Sequence, residues 1–404
     1  MASGQAFRHA VAQGGILMLL ADARFKPLAL VLCLLSGVSG CEPTSVPENR
    51  SADLLSQQSQ TGFEQVLPGQ PLVFPRDHLS HPGFRTEWWY LTANLETEQG
   101  QWIAVQWTLF RIATQPLSGS EGATGWQDTQ RFMAHAVVTT AEKRWQAERF
   151  ARGGIGQAGV EGEPYRLWLD NWRWQGLESS PFPATLTFSD SHSDAHTDAH
   201  TNSDSSMNDS SMAATLNIRS YGNLVRQGEA GYSQKDPTDP RLASYYYSMP
   251  FLLLDGVVTL DGETMAVKGE GWFDREWSSQ AMSEHQTGWD WFSLHLDDGR
   301  ALMLYQLRST QHDPFVFGSL SWPDGRSIAL SSDQASLTPI ATTTLSGRAF
   351  PIRWHLLVPA QQIDLDVQAQ REDQLLPFLF PYWEGPVSAS GSQNGLGFME
   401  LTGY

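Results

Sequence analysis

The chain is 404 residues long, enough for two domains with separate cores. Only 17% of it is charged, while it carries 16 Trp and 19 Phe, a balance that suits β architecture with aromatic interiors better than a helical bundle. A formal net charge of −18, with acidic residues spread along the sequence, excludes nucleic acid as an expected partner.

Residues 1–40 read as a lipoprotein signal peptide. Arg24 and Lys26 precede an apolar run over residues 27–38, about half of what a membrane-spanning helix requires. The run ends in LSGVSGC, whose small residues before Cys41 resemble a bacterial lipobox, so Cys41 is the expected lipidation site and membrane anchor. Met18 is an alternative start that leaves a leader of ordinary length. Glu42, where an Asp would signal inner-membrane retention, favours an outer-membrane lipoprotein facing the periplasm. No cysteine follows Cys41, so disulfides do not hold the fold. Residues 41–62, polar and rich in Pro, Ser and Gln, read as a flexible tether.

Beyond the tether the chain is patterned as short strands. Residues 87–111, EWWYLTANLETEQGQWIAVQWTLFR, read as a hairpin in which an aromatic cluster opens one strand and Arg111 ends the next. Residues 288–308, GWDWFSLHLDDGRALMLYQLR, repeat that shape and end on Arg308, which points to an internal duplication. Alternation recurs at 131–139 and across 165–174, where Tyr165, Leu167 and Leu169 share a face. Residues 189–212 form a Ser/Asp/His-rich low-complexity run between two strand patterns and read as a disordered loop. His192, His196 and His200 lie in that run without preformed geometry, so no metal site is expected. The first domain is placed at 63–249 and the second at 250–404, with hairpin signals at Asp261-Gly262, Asp298-Gly299 and Asp324-Gly325. Strands so spaced suit closed antiparallel barrels, two in tandem.

Several residues invite chemistry. In GWFDREWSSQ, Asp274 and Glu276 share one strand face, and Phe273, Arg275 and Trp277 share the other. Two carboxylates beside several Trp suit an acid/base pair separated in pKa by burial, or else an Arg-paired structural lock. Asp290 lies between Trp289 and Trp291, and Glu87 precedes Trp88; an acid inside an aromatic run must be paired or protonated if buried. His81, His135 and His295 read singly as structural histidines, and Arg275 as solvated or salt-bridged. The GIGQAG of residues 154–159 matches a dinucleotide fingerprint but has no helix to receive a pyrophosphate. Neither a GxSxG elbow, an HExxH pair nor a Walker loop occurs, and no cofactor is expected.

Four stretches taken together, FPRDHLSHPGFRTEWWYLTANL (74–95), GWFDREWSSQ (271–280), GWDWFSLHLDDGR (288–300) and the closing ELTGY, resemble the AttH family, which is related to the carotenoid 1,2-hydratases (hydroxyneurosporene synthases). The resemblance covers nearly all of the chain after residue 62 and implies an all-β fold of two tandem lipocalin-like barrels. For activity it implies carotenoid 1,2-hydratase-like hydro-lyase chemistry, in which a carboxylic acid protonates an alkene and water captures the cation. Asp274 and Trp277 match the hydratase pattern, whereas Arg275 and Glu276 depart from it. Three readings stand: a lipid-anchored binder of an apolar, isoprenoid- or lipid-like molecule, such a hydro-lyase, and an adaptor lipoprotein of an ABC-type exporter. The expected catalytic residues are Asp274, Glu276 and Asp290. The expected ligand-binding residues are Glu87, Trp88, Trp89, Tyr90, His135, Trp277, Trp289 and Trp291.

Overall fold

The structure, a computed structural model, describes residues 62–117, 125–191, 211–280 and 282–404. The signal peptide, Cys41, all but the last residue of the tether, and His192, His196 and His200 lie outside the described residues.

Among the described residues the regular structure is β, with three short 3₁₀ turns and no α-helix. The chain opens with β1 (Thr86–Thr97), β2 (Trp102–Ala113), β3 (Gln130–Thr139) and β4 (Arg144–Arg152). Shorter strands follow, β5 (Ala158–Gly162), β6 (Tyr165–Leu169) and β7 (Trp172–Leu177), then β8 (Ser180–Asp190) and β9 (Met212–Ser220). Two brief pieces, β10 (Val225–Arg226) and β11 (Tyr232–Gln234), lead into the long strands β12 (Ala243–Leu260) and β13 (Glu263–Gln280). The second set is β14 (Gln286–Leu296), β15 (Ala301–Ser309), β16 (Phe315–Ser321), β17 (Ser327–Ser331) and β18 (Ser336–Leu345). It continues with β19 (Arg348–Val358), β20 (Ile363–Ala369), β21 (Leu375–Leu376), β22 (Tyr382–Gly391) and β23 (Gly395–Leu401).

These strands form two barrel-like antiparallel sheets on one plan. The first runs β4-β3-β2-β1-β13-β12-β9-β8-β7-β6-β5 and the second β17-β16-β15-β14-β23-β22-β20-β19-β18. In each, a four-strand meander is joined through its first strand to the last strand of the same sheet. The duplication read from the two hairpins therefore extends to whole sheets, as the lipocalin-like pair requires. The expected boundary at 249/250 does not hold: it falls inside β12, and both β12 and β13 pair within the first sheet. The chain changes sheet only after Gln280, because β13 is the strand that pairs with β1. The Asp261-Gly262 hairpin signal is correct as a turn, with φ of 48° and 87°, but it closes β12 onto β13 in the first barrel. Residues 165–174 likewise divide into β6 and β7 at a turn where Asp170 takes φ 53°.

Burial patterns show where the sheets meet. β6 and β9 alternate buried with more exposed positions, one side on a core and the other toward water. β1, β2, β3, the second half of β13, β14 and β15 are buried at most positions, with long runs buried on both faces. One face packs on its own barrel core, around Trp107, Trp174 and Phe273 in the first and Phe292 and Trp354 in the second. The other face packs between barrels, where Trp291 meets Tyr90 and Trp272 edge to face at 5.4 and 6.5 Å.

The second hairpin carries an acid–Arg clamp. Asp290, fully buried, pairs with Arg308 and accepts from Gln306 Nε2 at 2.7 Å and from the Tyr404 hydroxyl at 2.7 Å. Arg308 also lies over the Tyr404 ring, 3.9 Å from its centroid, which ties the chain end to the barrel. Tyr404→Phe removes one donor from a buried carboxylate and should lower the unfolding free energy by about 1–3 kcal/mol. Denaturant melts of the variant against wild type measure this, and an unchanged midpoint would show that the terminus is not latched.

Candidate functional site

A cavity of about 210 Å³ lies between the two sheets. Its walls come from β1, β2, β3 and β13 on one side and from β14, β15, β22 and β23 on the other. Tight aromatic packing fills the rest of that interface, so this is where the two-sided burial of the central strands leaves room. The apolar wall includes Trp88, Phe110, Met133, Trp291, Tyr305 and Leu307.

Period-two alternation accounts for most of the expected residues that reach it, Glu87 beside Trp88 being the exception. Trp88 and Tyr90 on β1, and Asp274 and Glu276 on β13, line the cavity, joined by His135, Trp289, Trp291 and Glu87. Trp89 and Trp277 do not: they point to the opposite face and sit in the core of the first barrel. Asp290, expected to be catalytic, is absent from the lining: between Trp289 and Trp291 on β14 it points to the opposite face, where Arg308, Gln306 and Tyr404 hold it in the clamp.

Glu87 is a structural centre as well as part of the lining. Its carboxylate is ion-paired with both Arg111 and Arg275, all three side chains being buried. It also accepts from Ser80 Oγ at 2.5 Å and the His81 amide at 3.0 Å. Burial pushes its pKa up, and the Arg111 and Arg275 charges outweigh that and hold it well below the ordinary carboxylate range. Arg275 donates to Leu79 O at 2.6 Å and lies over the Trp89 ring, 3.8 Å from the centroid. Arg111 donates to Phe84 O at 2.8 Å. His81 stacks on Trp277 at 4.0 Å. The HPGFRTEWWY and DREW motifs are thus one network that straps residues 79–84 across β1, β2 and β13.

Asp274 differs in kind. Its Oδ1 accepts from Ser248 Oγ at 2.5 Å and Trp272 Nε1 at 2.7 Å, and its Oδ2 from the Tyr246 hydroxyl at 2.9 Å. No cation is among these partners. Burial raises its pKa to about 7 against the pull of the three donors, with Glu276 adding to the rise. Glu276 is instead matched, its Oε1 lying 2.8 Å from Lys235 Nζ. Lys235 also donates to Ser233 Oγ at 3.1 Å and the Tyr305 hydroxyl at 3.4 Å.

Two carboxyls escaped the sequence reading. Glu400 on β23 lines the cavity and accepts from Trp289 Nε1 at 2.6 Å; burial raises its pKa to about 7, and Asp274 and Glu276 add to the rise. Glu384, directly across from it on β22, accepts from the Tyr90 hydroxyl at 2.5 Å, and burial with the nearby Glu400 raises its pKa well above the usual carboxylate range. The signal for both was available, since each is a lone acid in an apolar closing strand (PYWEGP, GFMELTGY), the criterion that singled out Glu87 and Asp290. His135 is committed elsewhere. Burial holds it below its ordinary pKa although Glu148 opposes this, so the neutral ring donates from Nε2 to Glu148 at 3.1 Å and accepts at Nδ1 from Tyr382 at 2.8 Å.

Matched and unmatched carboxyls respond oppositely to pH. Glu87, depressed when folded, contributes stability above the unfolded carboxylate pKa of about 4, and that stability is lost as pH falls. Asp274, raised to about 7 when folded, stabilises the fold while protonated and loses that contribution as pH rises from about 4 toward 7. Glu87→Gln, which leaves two buried guanidiniums without their anion, should cost about 3–5 kcal/mol at neutral pH. Asp274→Asn should flatten the pH dependence of unfolding between about 4 and 7 relative to wild type. Denaturant melts over a pH series check both, and parallel wild-type and Asp274→Asn curves would contradict the raised pKa.

The AttH-like family model matches residues 65–404, spanning both barrels. Among solved structures, an AttH crystal structure from Nitrosomonas europaea is 30% identical, with a TM-score of 0.70, covering 85% of this chain and 99% of that one. Kievitone hydratase from Nectria haematococca shares the fold at 15% identity and a TM-score of 0.58, covering 85% of this chain and 96% of its own. No protein of curated function matches significantly. With the family model reaching from the strap before β1 to the terminal tyrosine, this chain belongs to the AttH-like family.

Proposed function

We propose that this protein holds an apolar, isoprenoid- or lipid-like molecule in the cavity between its barrels. The observation that carries the reading is the cavity itself, a space of about 210 Å³ walled by Trp88, Trp291, Tyr305, Phe110, Met133 and Leu307 at the junction of the two sheets. An apolar wall with a few placed polar groups is the usual make-up of a small-molecule site. A purely structural adaptor for an ABC-type exporter has no use for such a space. The leader supports a setting at the outer membrane, facing the periplasm, with lipid attached at Cys41.

A second reading, hydro-lyase chemistry, is favoured by one specific observation: Asp274 is a buried carboxyl on the cavity wall whose pKa is raised to about 7. Near neutrality such a group is partly protonated and stands in apolar surroundings, the condition for delivering a proton to an alkene. That kievitone hydratase uses the same fold supports hydration as chemistry this architecture accommodates.

Native mass spectrometry with lipid extraction, applied to protein purified from its own envelope, tests both readings. Wild type should carry a stoichiometric apolar molecule, and Trp289→Ala should lose it. A changed ratio of bound species in Asp274→Asn indicates turnover, whereas an unchanged ratio leaves binding alone. Wild type, Asp274→Asn and Trp289→Ala all empty would reject both readings.

A further inference from the structure

The cavity's polar groups are unevenly matched. Glu87 is answered by Arg111 and Arg275, and Glu276 by Lys235. Asp274 and Glu400 are answered by neutral donors only, and the nearby charges that act most on Glu400 are two more carboxyls, Asp274 and Glu276. Glu400 Oε1 takes the Trp289 indole, and Oε2 accepts no hydrogen bond from any described residue. A second unmatched group lies on the same wall. Thr108 is 1% exposed and lines the cavity, and its hydroxyl has no hydrogen-bond partner among the described residues.

Aromatic residues share the lining with these carboxyls, including Trp88, Trp289, Trp291 and Tyr305. A cation gains both from carboxylates in a water-poor cavity and from ring quadrupoles. A neutral ligand gains from neither. An anionic ligand would meet Asp274 and Glu400, although Lys235, Arg111 and Arg85 also line the space. Lys235 and Arg111 are committed to Glu276 and Glu87, Arg85 is likewise engaged, and the tyrosines Tyr90, Tyr246 and Tyr382 have pKa values pushed up by burial, so they stay neutral. Burial lowers the pKa of His135, and burial with the nearby Glu400 raises that of Glu384 behind Tyr90.

We propose that the cavity is a site for a lipophilic cation, an apolar chain carrying one ammonium centre that the Glu400 and Asp274 carboxylates and the surrounding indole rings hold. The proposal rests on the reading of this cavity as a small-molecule site and names the class of ligand. Binding the cation favours the ionised carboxyls, so it draws their pKa values down and releases protons. Affinity for a cation therefore rises with pH through neutrality, and affinity for a neutral chain of the same length does not.

The test is calorimetry on the full chain with decyltrimethylammonium and with decanol, both below their aggregation limits, at about pH 6 and about pH 8 in buffers of differing ionisation enthalpy. At the higher pH the ammonium should bind at least roughly tenfold tighter than the alcohol. The preference should shrink at the lower pH, and proton release should accompany ammonium binding. Glu400→Gln should lose most of the preference while keeping decanol affinity, and Glu142→Gln, an equal charge change on the exposed surface, should keep it. Equal affinity for the two probes, or ammonium binding to wild type without proton release, overturns the proposal even if Glu400→Gln fails to fold. Decanol binding without an ammonium preference overturns this proposal and leaves the cavity reading standing. Failure of both probes to bind overturns the two together.

Discussion

Glu87 between Arg111 and Arg275 is the contact on which the rest of the architecture depends. Three charges without solvent exposure cost several kcal/mol each in desolvation, and only near-complete pairing offsets that. Here the pairing is dense: both guanidiniums meet the one carboxylate, and further donors reach the carbonyls of Leu79, His81, Phe84 and Trp88, with Arg275 Nε left unpaired among the described residues. Because Glu87 lies opposite Arg111 on β2 and Trp277 on β13, the network fixes the register of three strands at once. A slip of one residue would turn Trp89 out of its core and Trp88 into it. The network is therefore what sends Trp88 and Tyr90 to the cavity.

The second barrel repeats the device with Asp290 and Arg308. Two hairpins of one shape, each ending on an Arg that returns to the acid beside the opening aromatics, are the physical content of the duplication. The two clamps are not equivalent in setting. Glu87 has two arginines and a depressed pKa, while Asp290 has one arginine, two neutral donors and a pKa that burial keeps raised against the Arg308 charge. Still, neither acid is left without a cation. The acids facing only neutral donors, Asp274, Glu384 and Glu400, gather around the space between the barrels. Counting cationic partners, more than counting carboxylates, separates the scaffold from the site.

This distinction also explains what was legible in the sequence. Alternation put Asp274 and Glu276 on one face and Arg275 and Trp277 on the other, and the structure agrees residue by residue. The same rule would have removed Trp89 and Trp277 from the site, but aromatic clustering suggested a single surface where β1 and β13 in fact present two. The partner of an acid was not legible. Arg308 is 18 residues from Asp290, and Arg275 is 188 from Glu87, so pairing follows from strand order. Strand order also hid the domain boundary, because the expected break at 249/250 falls inside β12, whose pairing with β13 completes the first barrel. Glu400 and Glu384 carried the local signal of a lone acid in an apolar strand, but only the fold places them across from one another and brings Glu384 against Tyr90 of β1.

Leaving Asp274 and Glu400 without cations has an energetic consequence that bears on both functional readings. Each holds a pKa near 7 because ionising it inside the cavity is costly, so the empty protein carries them as a reserve of unexpressed negative charge. A positive centre on a ligand recovers that charge whether it arrives as an ammonium or forms for an instant on a protonated alkene. The field that favours the first favours the second. The donors fix the geometry either way: Ser248, Trp272 and Tyr246 anchor Asp274 on β13, and among the described residues Trp289 alone donates to Glu400. A carboxyl anchored by three donors is held in one orientation, as the proton donor of the hydro-lyase reading must be. A carboxyl anchored by one is freer to turn toward a bound positive centre, which is the part the cation reading gives to Glu400.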